Sequence, residues 1–157
     1  MAMNKGRRLQ SSFELLITLS FGLAVLMPLV IIAFMQLSSA NVSLSSIEAQ
    51  QAASKLAGTA TMVGSEGGLA KQVVQVSIPP NVRYIYVGNF NNTVGHEIIF
   101  AVTSTAGLGY VTAYTPAAVS GSLGGISSAG TYFVNVTSQS ACPSNTLLPC
   151  VYMSSKV

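Results

Sequence analysis

Few side chains in this sequence could do chemistry. His96 is the only imidazole and has Glu97 beside it, and the chain contains no aspartate at all. A nucleophilic triad needs an acid to orient the histidine and a serine within reach of it. No Ser-His-Asp set can be built here, and no glycine-rich phosphate loop precedes a helix. Cys142 and Cys150 are the only cysteines, and with one histidine they fall short of the four ligands of a structural zinc site. No catalytic residue, metal or cofactor is therefore expected, and His96 reads as a surface residue at a strand edge. The reactive groups that remain are a lone carboxylate, Glu14, at the head of an apolar run; the cysteine pair; and three Asn-x-Ser/Thr acceptor patterns for N-linked glycans, at Asn41, Asn91 and Asn135.

Each of these depends on where the chain sits. From Leu15 to Leu37 no residue is charged. Those 23 residues, as a helix rising about 1.5 Å each, cover roughly 34 Å, enough for the hydrocarbon core of a bilayer. The run is apolar on every face, whereas a helix buried against a core keeps a polar side. It is also longer than the apolar part of a removable secretory signal. Lys5, Arg7 and Arg8 precede it, which places the amino terminus in the cytoplasm and everything after Leu37 outside. Gly22 and Pro28 lie within the span; Pro28 removes a backbone donor and crowds the preceding turn, so a kink or a locally loosened helix is expected there.

Half of the residues are hydrophobic and only 7% are charged, far below the roughly 25% of an ordinary soluble protein. The remaining cations, Lys55, Lys71, Arg83 and Lys156, balance Glu14, Glu48, Glu66 and Glu97. Four scattered cations do not make the basic patch that phosphate backbones require, so nucleic acid is excluded as a partner.

Glu14 costs about 2.5–3.5 kcal/mol at a bilayer centre and less at its edge. It reads either as a tolerated interfacial acid or as a carboxylate that meets a cation in an assembly. In "QSSFELL", Gln10, Ser12, Glu14 and Leu16 stand at alternate positions directly after a basic stretch. This resembles the class III signal sequences of archaeal type IV pilin-like proteins. The resemblance implies that a prepilin peptidase cuts between Leu9 and Gln10, removing residues 1–9 as a cytoplasmic leader. Glu14 then becomes the fifth residue of the mature chain and pairs with the new amino terminus of a neighbouring subunit, which sets the register of a helical homo-oligomeric filament. Cleavage also strips off all three amino-terminal cations, easing extraction from the membrane by the pilus assembly machinery. Leu9 stands where the family usually has glycine or another small residue. An uncleaved chain would stay in the membrane as a minor or anchored pilin-like protein presenting a binding head, and that is the alternative.

Beyond the span, Val42, Leu44, Ile47, Ala52, Leu56 and Ala60 keep a loose helical spacing, with Gly58 and Gly64 as weak points. One helix is expected over 10–63, followed by a head over 64–157. Ala52, Ala53, Ala57 and Gly58 allow close packing. The head reads as short strands at Val74–Ile78, Tyr84–Val87, Glu97–Val102, Gly109–Tyr114, Tyr132–Val136 and Cys150–Met153, with Pro79-Pro80-Asn81 as a turn and Ala117–Gly130 as an exposed Gly/Ser-rich loop. The expected class is α+β: a long amino-terminal hydrophobic helix in a lollipop layout, then a small antiparallel sheet or β-sandwich. Cys142 and Cys150 flank seven residues on the external, oxidising side, where a disulfide is expected. The functional expectation is a filament subunit for adhesion or attachment, inserted in the membrane and then displayed on the cell surface.

Overall fold

The computed structural model describes residues 5–104, 107–126, 128–143 and 148–156, with side chains from Phe13 to Ser155. The protein is α+β: one helix, α1 (Lys5–Glu66), followed by β1 (Lys71–Ile78), β2 (Val82–Gly88), β3 (Gly95–Ser104), β4 (Gly107–Ser122), β5 (Gly130–Gln139) and β6 (Cys150–Lys156). The helix starts before Gln10 and ends a few residues beyond the expected limit at 63. It passes through Gly22, Pro28, Gly58 and Gly64 without interruption. Two compact units divide the chain after Asn41.

In the unit from Val42 onward, the helix turns a narrow stripe toward the sheet: Ala49, Ala52, Ala53, Leu56, Ala57, Ala60 and Val63, all buried. The three- and four-residue spacing puts them on one face. Six of the seven are alanine or valine, so helix and sheet backbones approach closely and Leu56 is the one large side chain in the seam. Gly64 carries this to its limit: a Cβ there would lie 2.7 Å from the Ala117 Cβ and 3.3 Å from Val151 Cγ2.

The strands form one six-stranded sheet in the order β1-β5-β6-β4-β3-β2. All pairs are antiparallel except β4 with β6. The sandwich alternative is therefore not what forms. Alternation by two selects the inner face: Val74, Val76 and Ile78; Ile85 and Val87; Ile98, Phe100 and Val102; Val134 and Val136; Val151 and Met153, all in the core that also holds the helix stripe.

Pro79, Pro80 and Asn81 alone link β1 to β2, yet these strands are the two edges of the sheet. Four Cα steps reach at most about 15 Å, whereas five inter-strand spacings in a flat sheet need roughly 24 Å. The sheet must therefore roll so that its edges converge at this link. Asn81, at φ 74°, makes the reversal. Its carbonyl accepts from Thr103 N at 2.8 Å, and its amide donates to Ser45 Oγ on the helix at 3.4 Å. Two more bonds tie the helix to different strands: Lys55 Nζ to the Gln75 carbonyl at 2.8 Å, and Gln50 Nε2 to the Thr112 carbonyl at 3.3 Å. The buried Thr115 shares a hydroxyl hydrogen bond with Thr61 at 3.1 Å, which satisfies a polar group that burial would otherwise penalise.

The expected loop at 117–130 needs correction. β4 continues to Ser122, and Leu123 and Ile126 are buried in the core, joined by an Ile126 N to Leu123 O turn of 3.0 Å. Small residues are needed here because β4 and β6 run close together: a Cβ on Gly121 would fall 2.2 Å from the Met153 carbonyl. β4 reaches that partner through a bulge. Between the Glu97↔Tyr114 and Gly95↔Val119 pairs, β4 advances five residues against two on β3. Pro116, which has no N–H to give to a ladder, sits in this irregular stretch.

Candidate assembly surface

The described residues of the unit up to Asn41 are all helical. Every large apolar side chain from Phe13 to Leu37 is at least half exposed, from Val25 at 50% to Phe34 at 74%. Complete burial of one such side chain is favourable by about 1.5–3 kcal/mol, so covering this surface is favourable by on the order of 10–30 kcal/mol. A surface of that kind does not stay in water. By length and composition the helix can cross a membrane, and its most apolar window is wholly unburied in the chain itself.

The surface has one ionisable group. Glu14 is exposed at its amino-terminal border, one residue after Phe13 and two before Leu16. Phe13, Leu16, Ile17, Ser20, Phe21 and Ala24 line a shallow, mostly apolar groove along one helix face. Small Ser20 and Ala24 leave the hollow and the larger neighbours wall it. Thr18 Oγ1 donates to the carbonyls of Glu14 and Leu15, both at 3.0 Å, so its hydroxyl is satisfied inside the helix and adds no free polar group to the apolar face. Gly22 leaves open space where a Cβ would stand. Pro28 lies inside the helix.

Of the expected register residues, Glu14 and Leu16 lie on this exposed surface. Leu9 and Gln10, the expected cleavage pair, have helical backbone, as does Ser12; the side chains of all three lie outside the described residues. Within the expected leader, residues 1–4 also lie outside them.

In the other unit, Cys142 and Cys150 form the expected disulfide, with Cα atoms 5.5 Å apart. Cys142 N donates to the Leu148 carbonyl at 3.0 Å, holding the two arms of the loop together. The three glycan acceptor patterns fall in three different settings: Asn41 within α1, Asn91 in the β2–β3 loop, and Asn135 within β5. His96 is exposed as expected, but β3 is an inner strand rather than an edge. The imidazole stacks on Tyr114 with centroids 6.0 Å apart, and Nδ1 lies 3.3 Å from the Thr115 carbonyl, to which it can donate. Among the described residues no three His, Cys, Asp or Glu side chains gather to hold a metal.

Sequence reasoning missed an aromatic face on the outer side of the sheet. Tyr84 and Tyr86 alternate along β2, Tyr110 stands on β4, and Phe90 folds back from the loop between β2 and β3. Neighbouring centroids are 6.1 Å apart for Tyr84–Tyr86, 5.6 Å for Tyr86–Phe90 and 5.2 Å for Phe90–Tyr110. The period-two tyrosines were legible as a strand face, but the return of Phe90 was not, because it depends on the loop. No family model, curated protein or solved structure matches this chain.

Proposed function

We propose that this protein is a structural subunit of an archaeal type IV pilus-like surface filament, assembling through its amino-terminal helix and serving adhesion or attachment. The observation that carries the reading is the uninterrupted exposed apolar surface from Phe13 to Leu37 with a single carboxylate at its border. Lipid covers that surface before assembly and sister helices cover it afterwards. Glu14 is inexpensive at the membrane edge but needs a cation once helices bundle. Removal of residues 1–9 supplies one, the ammonium of Gln10 on a neighbouring subunit. The pair then acts as a register mark, since a slipped neighbour leaves both charges unpaired. The head brings its own core and its own disulfide to the outside, and little surface charge.

Leu9 at the cleavage position favours a second reading, in which the chain keeps its cationic leader and remains a membrane-anchored display protein. Mass analysis of the amino terminus of native material, together with electron microscopy of sheared cell-surface fractions, separates the two. Gln10 as the first residue in fibres supports the filament. Retained Arg7 and Arg8 in bilayer-bound monomers, with no fibres, overturns it.

A further inference from the structure

The outer aromatic face has an unsatisfied side. Ile99 and Ala101 beneath it are fully buried, while Tyr84, Phe90 and Tyr110 that cover them are themselves 58%, 53% and 53% exposed. The residue after Phe90 is Asn91, the first of an Asn-Asn-Thr acceptor pattern. The loop uses its asparagines unequally. Asn89 Oδ1 accepts from Asn91 N at 2.9 Å and Thr93 N at 3.1 Å, Asn89 Nδ2 bonds Thr93 Oγ1, and Asn92 Oδ1 accepts from Val87 N at 3.2 Å. An Asn92 N to Asn89 O bond of 3.0 Å closes the turn, with Asn92 at φ 53°. Asn89 and Asn92 hold the loop, and the exposed Asn91 amide is left outside that network.

The other two patterns are placed differently. Asn41 and Ser43 lie inside a continuous helix, where residues two apart face away from one another, so the amide and the hydroxyl of the pattern cannot meet a common enzyme site. Asn135 is half-buried on β5, an inner strand between β1 and β6, with its Oδ1 enclosed and without a hydrogen-bond partner; its amide is less open to an enzyme than that of the exposed Asn91.

We propose that Asn91 carries an N-linked oligosaccharide and that its inner sugars lie over the Phe90–Tyr110 aromatic face. The donor is a polyisoprenyl-phosphate-linked oligosaccharide, delivered by a membrane glycosyltransferase. Asn91 Nδ2 bonds to the anomeric carbon as the carbon–oxygen bond to phosphate breaks; the phosphate leaves with the electron pair and Nδ2 gives up one proton to a base. The apolar C–H face of a pyranose packs on aromatic rings, and covalent attachment one residue from Phe90 makes that contact intramolecular, which raises its effective concentration. In a chain with 7% charged residues, the outward sugar hydroxyls also solvate the head. The proposal rests on one element of the functional reading, that the head is external.

The test is intact-mass and peptide mapping of the full chain from its producing cells, with protease added to intact cells in parallel. The peptide containing Asn91 is expected to exceed its polypeptide mass, to lose the excess in Asn91→Gln, and to keep it in Asn41→Gln and Asn135→Gln. Thermal melts then test the stacking: Asn91→Gln is expected to lower the melting temperature when Phe90 is present and to leave it unchanged in a Phe90→Ala background. Equal losses in both backgrounds overturn the stacking. Protease-accessible heads with unmodified Asn91 overturn the glycan while leaving the filament reading intact. Heads that protease cannot reach overturn both, and modified Asn91 on anchored monomers sinks only the filament.

Discussion

Leu56 and Phe21 test whether the two halves of α1 do different work. Leu56 is 1% exposed and is the single large residue in an alanine and valine seam; Phe21 is 73% exposed. Truncating Leu56 to alanine removes three carbons beyond Cβ, worth about 2.4 kcal/mol at roughly 0.8 kcal/mol each, and the small neighbours cannot close the hole. With the cavity term the expected loss is about 3 kcal/mol, which lowers the melting temperature of a domain this size by roughly 10 °C. The assay is thermal unfolding of the full chain in detergent micelles, followed by a sheet-sensitive circular dichroism band. Phe21→Ala removes more apolar surface but is expected to shift that melt by less than about 2 °C, since detergent already covers it. In cells the order reverses, with Phe21→Ala cutting fibre yield while its head folds normally. If Leu56→Ala leaves the melt unchanged, the helix is not part of the head's core. If Phe21→Ala destabilises the micellar chain equally, the division of labour along the helix is wrong.

Glu14→Gln is expected to insert in the membrane normally and to reduce fibre yield at least several-fold, checked by fractionation and microscopy; undiminished fibres refute the paired-carboxylate role. Replacing both Cys142 and Cys150 with serine reopens a loop of sequence separation 8 and is expected to cost about 2–3 kcal/mol by loop-closure entropy, read as the same loss of melting temperature that reduction produces in the parent. Gly64→Ala sets a helix-propensity gain of about 1 kcal/mol against overpacking at the 2.7 Å approach to Ala117. The clash is expected to win by about 1 kcal/mol, and Ala117→Gly in the same chain is expected to restore the melt.

Local pattern carried much of this. An uncharged run of fixed length identifies a helix able to span a membrane, because hydrophobicity and rise per residue are properties of the segment alone. Alternation in β1, and short β-branched or aromatic runs bounded by turn residues elsewhere, located all six strands in the same way, and Pro79-Pro80-Asn81 marked the break between β1 and β2. The ends were less legible. α1 continues to Glu66 because Val63 and Gly64 pack against the sheet. β4 runs through a Gly/Ser stretch that reads as loop, because those small residues are what the parallel pairing with β6 admits.

Partnership was decided only in three dimensions. The turn expected after Ile78 joins the two edges of a rolled sheet, since strand pairing depends on which apolar faces can share one core. The same holds for the asparagines. Three equivalent motifs in the sequence become one locked in a helix, one half-buried in an inner strand and one exposed beside an aromatic face. Motif chemistry is a property of three consecutive residues, whereas accessibility belongs to everything packed around them. Composition and periodicity therefore determined which segments seek lipid, helix or sheet; the packing of the head around α1 decided which groups remain available to a partner.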